Sequence, residues 1–474
     1  MRYRKEIISG LKWTFSNNVS QAIIIALQYW ILTKYLEPED FGVMAVLIVI
    51  IGIASIFVEM GIGDAIVQSE DLGDEKLSQL LISSYLLGAV AVVLTNLFGY
   101  FVLKLMGMTD YSFLVFLLSL TFFLSPLFYI YSALLEKNLL FAKLNSVSIA
   151  SFFVGFLVAV FSAVAGARIY ALVYGYIAIE LSKAVGSYIV GKGLFKFKKS
   201  KATKQILPQL KYGSFISGSR LFNYMNSNFD KLIIGKIFGE EILGFYSVAW
   251  NIKSIPLRKI NAIANSISFP VFSKLKNHKK DTQEVFDAVI SFVVLLNIPA
   301  YLFLFFAGQE TVVMLFDEKW TTMGLVLEWL SLLGIVKVLS NPAGPLILAK
   351  GKSNIEMYWN IFWLLVVLGV VSAIGFSGLN IVALSKYLAL AGLAVSPIWH
   401  YLVIRSTKIS YTRIIPLISV IIICFIGMAI LNRTITSQTL VLNVGCSIIS
   451  ALAIWIFLDR RGFNLFNFLA SRNA

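Results

Sequence analysis

The segment LEPEDFGVMAV, residues 36–46, determines how the chain is organised. It contains an acidic turn that follows one long apolar run, and Gly42 opens the next apolar run. The segment FGEEILGFYSV, residues 238–248, repeats this pattern about 200 residues later, with Gly244 in the position of Gly42. The recurrence of a helix, an acidic turn and a glycine-led helix predicts an internal structural repeat.

A second pair of segments supports this repeat. LKWTFSNN at residues 11–18 corresponds to LKYGSFIS at residues 210–217, with nearly the same offset. The offset covers about six predicted spans, and an even number gives both copies the same orientation in a membrane. We predict an N-lobe, a basic cytoplasmic linker, a C-lobe, and two further spans with a cytoplasmic tail, over residues 1–191, 192–207, 208–404 and 405–474 respectively.

The composition is that of a membrane protein. Of the 474 residues, 58% are hydrophobic and only 14% are charged, whereas soluble domains carry about 25% charged residues. The mean hydropathy is +0.82, and apolar runs of spanning length recur from end to end. We therefore predict an all-α polytopic membrane protein with about fourteen transmembrane helices, arranged as two lobes of about six helices each and two C-terminal helices.

The formal net charge of +15 indicates membrane orientation and not nucleic-acid binding. Along the chain, connections that are rich in Lys and Arg (the rich set) alternate with connections that contain few of these residues. The positive-inside rule places the rich set in the cytoplasm, and both termini with it. This set comprises Arg2, Arg4, Lys5, residues 192–204, residues 274–280, Lys350, Lys352, Arg405, Lys408, Arg413, Arg460 and Arg461.

Several classes of enzyme lack the residues they need in this chain. Cys424 and Cys446 lie in separate apolar segments, and only two histidines occur. The chain therefore has too few cysteines and histidines to make a zinc site or a Ser-His-Asp hydrolase a reasonable prediction. The outer connections are too short for a soluble catalytic domain. The sequence GKS at residues 351–353 resembles the end of a phosphate-binding loop, but Leu346 replaces the earlier glycine. We predict no enzyme activity and no metal or cofactor.

Charged side chains within the predicted spans indicate a hydrated cavity, because charge at membrane depth is costly. The seventh predicted span, residues 208–236, carries polar residues at helical spacing along one face. An alternative is that these side chains hydrogen-bond between helices. Cations outnumber acids in the spans, which predicts an anionic substrate and fits an exporter of cationic drugs poorly. The candidate substrate-binding residues are Arg220, Asn223, Lys253, Arg258, Lys259 and Lys337.

The eighth predicted span places three of these cations around Pro256. Lys253 and Arg258 are about 140° apart on an ideal helix, so Lys253 joins Arg258 and Lys259 in one cavity only if the helix bends at Pro256. Otherwise one cation points elsewhere. Other accounts of the three charges are ion pairs with buried acids and snorkelling of the side chains to the membrane surface.

Several segments of the chain resemble the polysaccharide-transport branch of the MOP (multidrug/oligosaccharidyl-lipid/polysaccharide) flippase superfamily. Within this branch, the chain resembles the exporters of colanic-acid and teichuronic-acid type. Each matching segment is weakly specific, and their order over nearly the whole chain carries the resemblance. The segments are ISGLKW (8–13), LEPEDFG (36–42), GIGDAIVQ (61–68), NYMNSNFDKLIIGKIFG (223–239), LGFYSVAWNI (243–252), ISFPVFSKL (267–275), LFDEKW (315–320) and SNPAGPLILAKGK (340–352).

The resemblance implies a flippase of the bacterial cytoplasmic membrane that moves an undecaprenyl-diphosphate-linked oligosaccharide by alternating access between the two lobes. It also implies a cationic central cavity, a role that we assign as a hypothesis to Arg220, Arg258, Lys259 and Lys337. An H⁺ or Na⁺ gradient would drive transport. The acids that could couple to it are Glu59, Asp64, Asp230 and Glu328.

The expected partners are the lipid-linked glycan, membrane lipids and other membrane proteins of polysaccharide assembly, with no nucleic acid among them. Three alternatives stay open at this point. One is a MATE-like ion-coupled exporter of small molecules, which shares the architecture and differs in the charge of its cavity. The second is a membrane glycosyltransferase or polymerase, and the third is export of a finished polymer.

Overall fold

The computed structural model of the chain describes residues 4–69, 73–198, 207–275, 278–412, 414–434 and 439–460. The chain divides into two compact units, Met1–Ser247 and Val248–Ala474. Across the described ranges the regular structure is helical, and no strand occurs in them. The predicted all-α class is therefore confirmed. The predicted lobe boundaries at residues 191 and 208 stay a prediction.

The described residues of the first unit form eight α-helices and the beginning of a ninth, which continues into the second unit. Short connections join most consecutive helices, as the alternation of apolar runs and turns predicts. The helices are α1 (Arg4–Tyr35), α2 (Pro38–Glu59), α3 (Ile62–Gln68), α4 (Asp74–Met106), α5 (Ser112–Ser119), α6 (Ser125–Lys137), α7 (Phe141–Val164), α8 (Ile169–Gly191) and α9 (Leu207–Lys274).

The described residues of the second unit form the end of α9 and seven further α-helices. Its core contains apolar side chains of α9, α10, α11, α12, α14, α15 and α16, among them Val294, Ile298 and Val338. The seven helices are α10 (Lys279–Phe316), α11 (Thr321–Ser340), α12 (Ala343–Ala349), α13 (Ser353–Phe376), α14 (Ile381–Thr407), α15 (Ile415–Thr434) and α16 (Thr439–Arg460).

Among the described residues, 11 helical segments are long and apolar enough to cross a membrane, judged by length and composition. Helices α1 and α9 are long enough but are not among the 11. In α9 the reason is its many polar and charged residues, which lower its mean hydropathy. The count of about fourteen spans stays a prediction, whereas a polytopic membrane protein is confirmed.

The outward faces of these helices are apolar, as a lipid environment requires. Large hydrophobic side chains such as Phe161, Phe376 and Ile423 are 69%, 90% and 68% exposed, and in water such a surface would drive aggregation.

The predicted orientation in the membrane rests partly on cations outside the described residues, and it stays a prediction. These are Arg2, the linker cations from residue 199 to 204, Lys276, Arg413 and Arg461.

Helices α2 and α9 cross at the two glycines of the sequence repeat. A Cβ atom on Gly42 would lie 1.8 Å from the carbonyl oxygen of Glu240, and one on Gly244 would lie 1.8 Å from the carbonyl oxygen of Pro38. Only glycine permits such an approach of two backbones. Pro38 and Glu240 are themselves equivalent in the repeat, so the contact is reciprocal: each copy's glycine faces the other copy's carbonyl.

The turns that lead into this crossing differ between the two copies. Before α2, Pro38 occupies the first turn of the helix, and the Glu37 backbone N–H donates to Asp40 Oδ2 at 3.0 Å. Within α9, Gly239 has φ 86° and ψ 175°, a conformation that is essentially restricted to glycine. Gly239 therefore divides α9 into two helices, which matches the two predicted spans on either side of it.

We expect Gly42→Ala and Gly244→Ala each to destabilise the protein by about 1–3 kcal/mol, because the methyl group overlaps a backbone oxygen that cannot move independently. Thermal unfolding in detergent measures this loss. Gly369→Ala is the matched control, since no atom lies within 4 Å of the Cβ position in the middle of α13, and alanine favours a helix. Equal stability of all three variants would contradict the close crossing.

Candidate functional site

Arg220 bridges two acids in the first unit. Its Nη1 donates to Glu59 Oε1, and its Nη2 donates to Asp64 Oδ2 at 2.8 Å. The side chains of Arg220, Glu59 and Asp64 are 38%, 28% and 37% exposed. One predicted substrate-binding cation and two predicted coupling acids are thus joined in one ionic cluster, and its partial exposure leaves it accessible to an ion or an anionic group.

A left-handed turn brings the two acids of this cluster together. Glu59 is the last residue of α2, and Asp64 lies in the first turn of α3. Between them Met60 has φ 43° and Gly61 has φ 62°. A left-handed Met is uncommon and costs about 1–2 kcal/mol, so this turn is held by its surroundings. It allows carboxylates five positions apart to face the same guanidinium.

Tyr224 fixes α9 against α2 one helical turn from Arg220. Its hydroxyl donates to the carbonyl oxygen of Ile48 at 2.8 Å. The ring of Tyr224 packs over Gly52, where a Cβ atom would lie 2.0 Å from the tyrosine oxygen. The position of the guanidinium is therefore set by backbone contacts of α9 with α2 as well as by its ion pairs.

The polar face predicted for the first half of α9 has two different environments. Asn223 and Ser227 are exposed, and Ser227 Oγ donates to the carbonyl oxygen of Asn223 at 2.9 Å. Asp230 is 5% exposed and accepts a hydrogen bond from Tyr246 Oη at 2.8 Å. The chain reversal at Gly239 makes this bond possible. Asn223 is thus available to a ligand, whereas Asp230 is shielded.

In the second unit, two lysines share one indole. Lys253 Nζ lies 4.0 Å from the ring centroid of Trp250, and Lys337 Nζ lies 5.3 Å from the same centroid and 5.9 Å from that of Trp363. Lys253 is only 1% exposed. Ring faces attract cations most strongly where water is excluded. We call this group the lysine–tryptophan cluster, consisting of Trp250, Lys253, Lys337 and Trp363.

The three cations around Pro256 have different surroundings. The backbone of α9 departs from helical φ and ψ only at Gly239, so the helix continues through Pro256. Lys253 is buried, whereas Arg258 is exposed and its Nε donates to the carbonyl oxygen of Ser254 at 3.4 Å. Lys259 is half-buried. Because Lys253 is buried and Arg258 is exposed, the two cations face different surroundings.

Glu328 supports a break in α10. Its Oε1 accepts a hydrogen bond from the backbone N–H of Gln309 at 3.0 Å. This contact lies just after Ala307, where φ is −129° and ψ is 15°. Glu328 also packs against Gly308, since a Cβ atom there would lie 2.9 Å from its side chain. This predicted coupling acid therefore has a structural contact that a neutral glutamine would also make.

Other polar groups in the helices form local contacts. Lys183 Nζ lies 2.8 Å from Glu180 Oε1, and the two residues form a local ion pair three positions apart on α8. Gln21 Nε2 donates to Ser148 Oγ of α7 at 2.8 Å, which is a hydrogen bond between helices. Among the described residues, no group of three or more His, Cys, Asp or Glu side chains is placed to hold a metal ion.

Sequence reasoning missed the two tryptophans of the lysine–tryptophan cluster. Trp250 and Lys253 are three residues apart on one helix, a spacing that places an aromatic ring beside a cation, so this signal was present. Lys337 and Trp363 lie on α11 and α13 and carry no comparable local signal. The structure brings them together by packing of separate helices.

Comparisons with known proteins place the chain among polysaccharide biosynthesis proteins. A family model with that description matches residues 31–324. The lipopolysaccharide biosynthesis protein WzxC of Escherichia coli (strain K12) is 27% identical over 365 residues, 76% of this chain and 74% of that protein. The teichuronic acid biosynthesis protein TuaB of Bacillus subtilis (strain 168) is 29% identical over 359 residues, 75% of this chain and 74% of that protein.

One solved structure shows the same fold over almost the entire chain. The lipid II flippase MurJ, in an inward closed conformation, matches with a TM-score of 0.75 at 15% sequence identity. The match covers 96% of this chain and 99% of that chain. At this identity the likeness establishes the fold alone.

The Arg220 cluster predicts energetic coupling between α9 and α2. We expect Arg220→Met to destabilise the protein by roughly 1 kcal/mol, because two neighbouring carboxylates lose their shared cation at a partly exposed site. Adding Glu59→Gln to this variant should restore part of the loss, which a double-mutant cycle of thermal unfolding measures. Lys76→Met, at an exposed cation of α4, is the control. Strictly additive effects of Arg220→Met and Glu59→Gln would show that the two groups are uncoupled.

Proposed function

Because the chain belongs to the polysaccharide biosynthesis protein family, we propose that it is a flippase which moves a polyprenyl-diphosphate-linked oligosaccharide across the bacterial cytoplasmic membrane. The family match confirms the resemblance predicted from the sequence. The names of WzxC and TuaB support a saccharide substrate for surface polysaccharide synthesis, and the fold shared with a lipid II flippase supports a lipid-linked one. Family and fold both agree with a transporter and not an enzyme.

The observation that carries the proposal is the lysine–tryptophan cluster. A diphosphate esterified at both ends is a compact dianion, and two ammonium groups around one indole supply its natural counter-charges. The indole holds both cations in position before the ligand arrives, which lowers the entropy lost on binding. The tryptophan faces are also suitable for packing against the apolar face of a sugar ring. A cationic drug would be repelled from this group.

We also propose that transport proceeds by alternating access driven by an H⁺ or Na⁺ gradient. Among the coupling candidates, Asp230 is buried and bound to Tyr246, and Glu59 and Asp64 share Arg220. A cation or proton that neutralises an acid of the Arg220 cluster would release the guanidinium for a phosphate. The proposed setting is a bacterial inner membrane with both termini in the cytoplasm, beside other membrane proteins of polysaccharide assembly.

The substrate site is tested by complementation in a host whose own flippase is deleted, with surface polysaccharide as the readout. We expect Lys253→Gln and Lys337→Gln to lower export about tenfold or more, because each removes a charged contact to phosphate worth about 1.5–3 kcal/mol. Arg220→Ala, Arg258→Ala and Lys259→Ala test the remaining cationic candidates in the same assay. Trp250→Leu should resemble the lysine variants, whereas Trp250→Phe should retain part of the export.

Lys143→Ala is the matched control for these variants, since it removes one exposed cation of α7 away from both candidate groups. It should export at the level of the unchanged protein. Full export by all the cationic variants, at equal amounts of protein in the membrane, would overturn the proposal of a cationic substrate site.

Asp230→Asn tests ion coupling separately. Asparagine retains an oxygen that accepts the Tyr246 hydroxyl, so we expect the variant to fold. If Asp230 couples transport to the gradient, initial export rates of this variant will no longer change with external pH or sodium. Rates that keep the full dependence would remove Asp230 from the coupling residues, and the same measurement on Glu328→Gln would then follow.

A further inference from the structure

The junction between α14 and α15 carries two adjoining hollows that the proposed export cycle does not use. The first, which we call the apolar slot, has a volume of about 370 Å³ and is lined by residues that include Ile290, Leu339 and Ile418. The second, the basic groove, has a volume of about 440 Å³ and contains Arg405 and Lys408. Ile404 and Tyr411 line both hollows, so the slot and the groove are adjacent.

Hydrogen bonds from neighbouring segments hold the backbone at residues 406–410, beside the basic groove. Gln283 of α10 donates to the carbonyl oxygen of Ser410 at 2.8 Å and accepts from the Ser410 backbone N–H at 2.7 Å. Lys352 Nζ donates to the carbonyl oxygen of Ser406 at 2.6 Å. Lys408 ends α14 with φ 61°, a conformation that is unfavourable for lysine. These contacts hold the two cations of the groove beside the end of α14.

Two polar atoms stand where the slot meets the groove. Tyr411 is 9% exposed, and its ring centroid lies 4.8 Å from that of His400 in an edge-to-face arrangement. Neither Tyr411 Oη nor His400 Nδ1 has a hydrogen-bond partner within the described part of the chain. Burying a polar atom without a hydrogen-bond partner is unfavourable. A small rotation of the Tyr411 and His400 side chains would let both atoms form a hydrogen bond with a ligand oxygen.

The position of the junction determines which ligands can reach it. α14 and α15 are both long and apolar enough to span a membrane, and Ile404, which lines the slot, is an exposed apolar side chain. The groove with its cations lies where the two spans end. A molecule that fits both hollows has an apolar chain at membrane depth and an anionic group at the membrane surface.

We infer that the slot and the groove form a binding site for an anionic phospholipid of the surrounding bilayer. Its phosphate lies between Arg405 and Lys408, its glycerol-ester oxygens lie near Tyr411 and His400, and part of one acyl chain fills the slot. This inference depends on the membrane setting and not on the proposed export activity. The lipid would stabilise the junction of α14 and α15, since a ligand that binds only the folded state stabilises that state.

The test uses the full chain, delipidated in detergent, and titrates it with phosphatidylglycerol or with phosphatidylcholine of the same acyl chains. Bound lipid is counted by native mass spectrometry, and thermal stability is measured in parallel. We expect phosphatidylglycerol to bind and to raise the unfolding temperature more than phosphatidylcholine does. Removing both cations in Arg405→Ala/Lys408→Ala should weaken phosphatidylglycerol binding about thirtyfold, since each cation near a lipid surface is worth about 1 kcal/mol.

Two controls separate this site from a general attraction between cations and lipid. Lys76→Ala/Lys143→Ala removes two exposed cations elsewhere and should leave binding unchanged. Ile404→Trp fills the slot while keeping both cations, and it should weaken binding, whereas Ile398→Trp on the same helix should not. Equal binding of both lipids, no effect of Ile404→Trp, or the same stabilisation by inorganic phosphate alone would each overturn the proposal.

Discussion

The reciprocal contact of Gly42 and Gly244 with two backbone carbonyls is the constraint on which the rest of the first unit depends. It brings the backbone of α2 and that of α9 to a distance that side chains would prevent. From this point the two helices run together, and Tyr224 over Gly52 continues the contact. Arg220 then meets Glu59 and Asp64 at the other end of α2. The ionic cluster is therefore positioned by a packing contact about one membrane thickness away.

Charge at membrane depth is handled in two different ways in the two units. In the first unit, ion pairs join Arg220 to acids, and partial exposure keeps the pairs exchangeable. In the second unit, aromatic rings hold Lys253 and Lys337 and exclude water from the ammonium groups. A paired guanidinium is released when its acids are neutralised. In the lysine–tryptophan cluster Lys253 is 1% exposed and Lys337 is half-buried, so an incoming anion meets Lys337 first. The first arrangement suits coupling and the second suits binding.

Composition and periodicity were sufficient to predict the helical membrane fold, because apolar length and charge asymmetry act locally along the chain. The repeat identified Gly42 and Gly244 as equivalent positions, but equivalence does not show that two positions touch. Arg220, Glu59 and Asp64 were each singled out as unusual charges. Gly61 is a sequence signal for a left-handed turn after α2, but nothing in the sequence showed that the turn would bring the two acids to one guanidinium. Trp250, the ring partner of Lys253, lies on the same helix, but Lys337 and Trp363 come from α11 and α13. Such contacts between distant segments arise only from tertiary packing.

The crossing of α2 and α9 also has a consequence for how the protein is made. Gly244 is synthesised long after Gly42, and translation adds roughly 5–20 residues per second. The notch on α2 therefore stays open in the membrane for on the order of ten seconds or more, with the Pro38 carbonyl facing no partner helix. Assembly of the first unit cannot finish before α9 has been inserted. Until then, the surface of α2 beside Gly42 lacks the helix that packs against it in the folded protein.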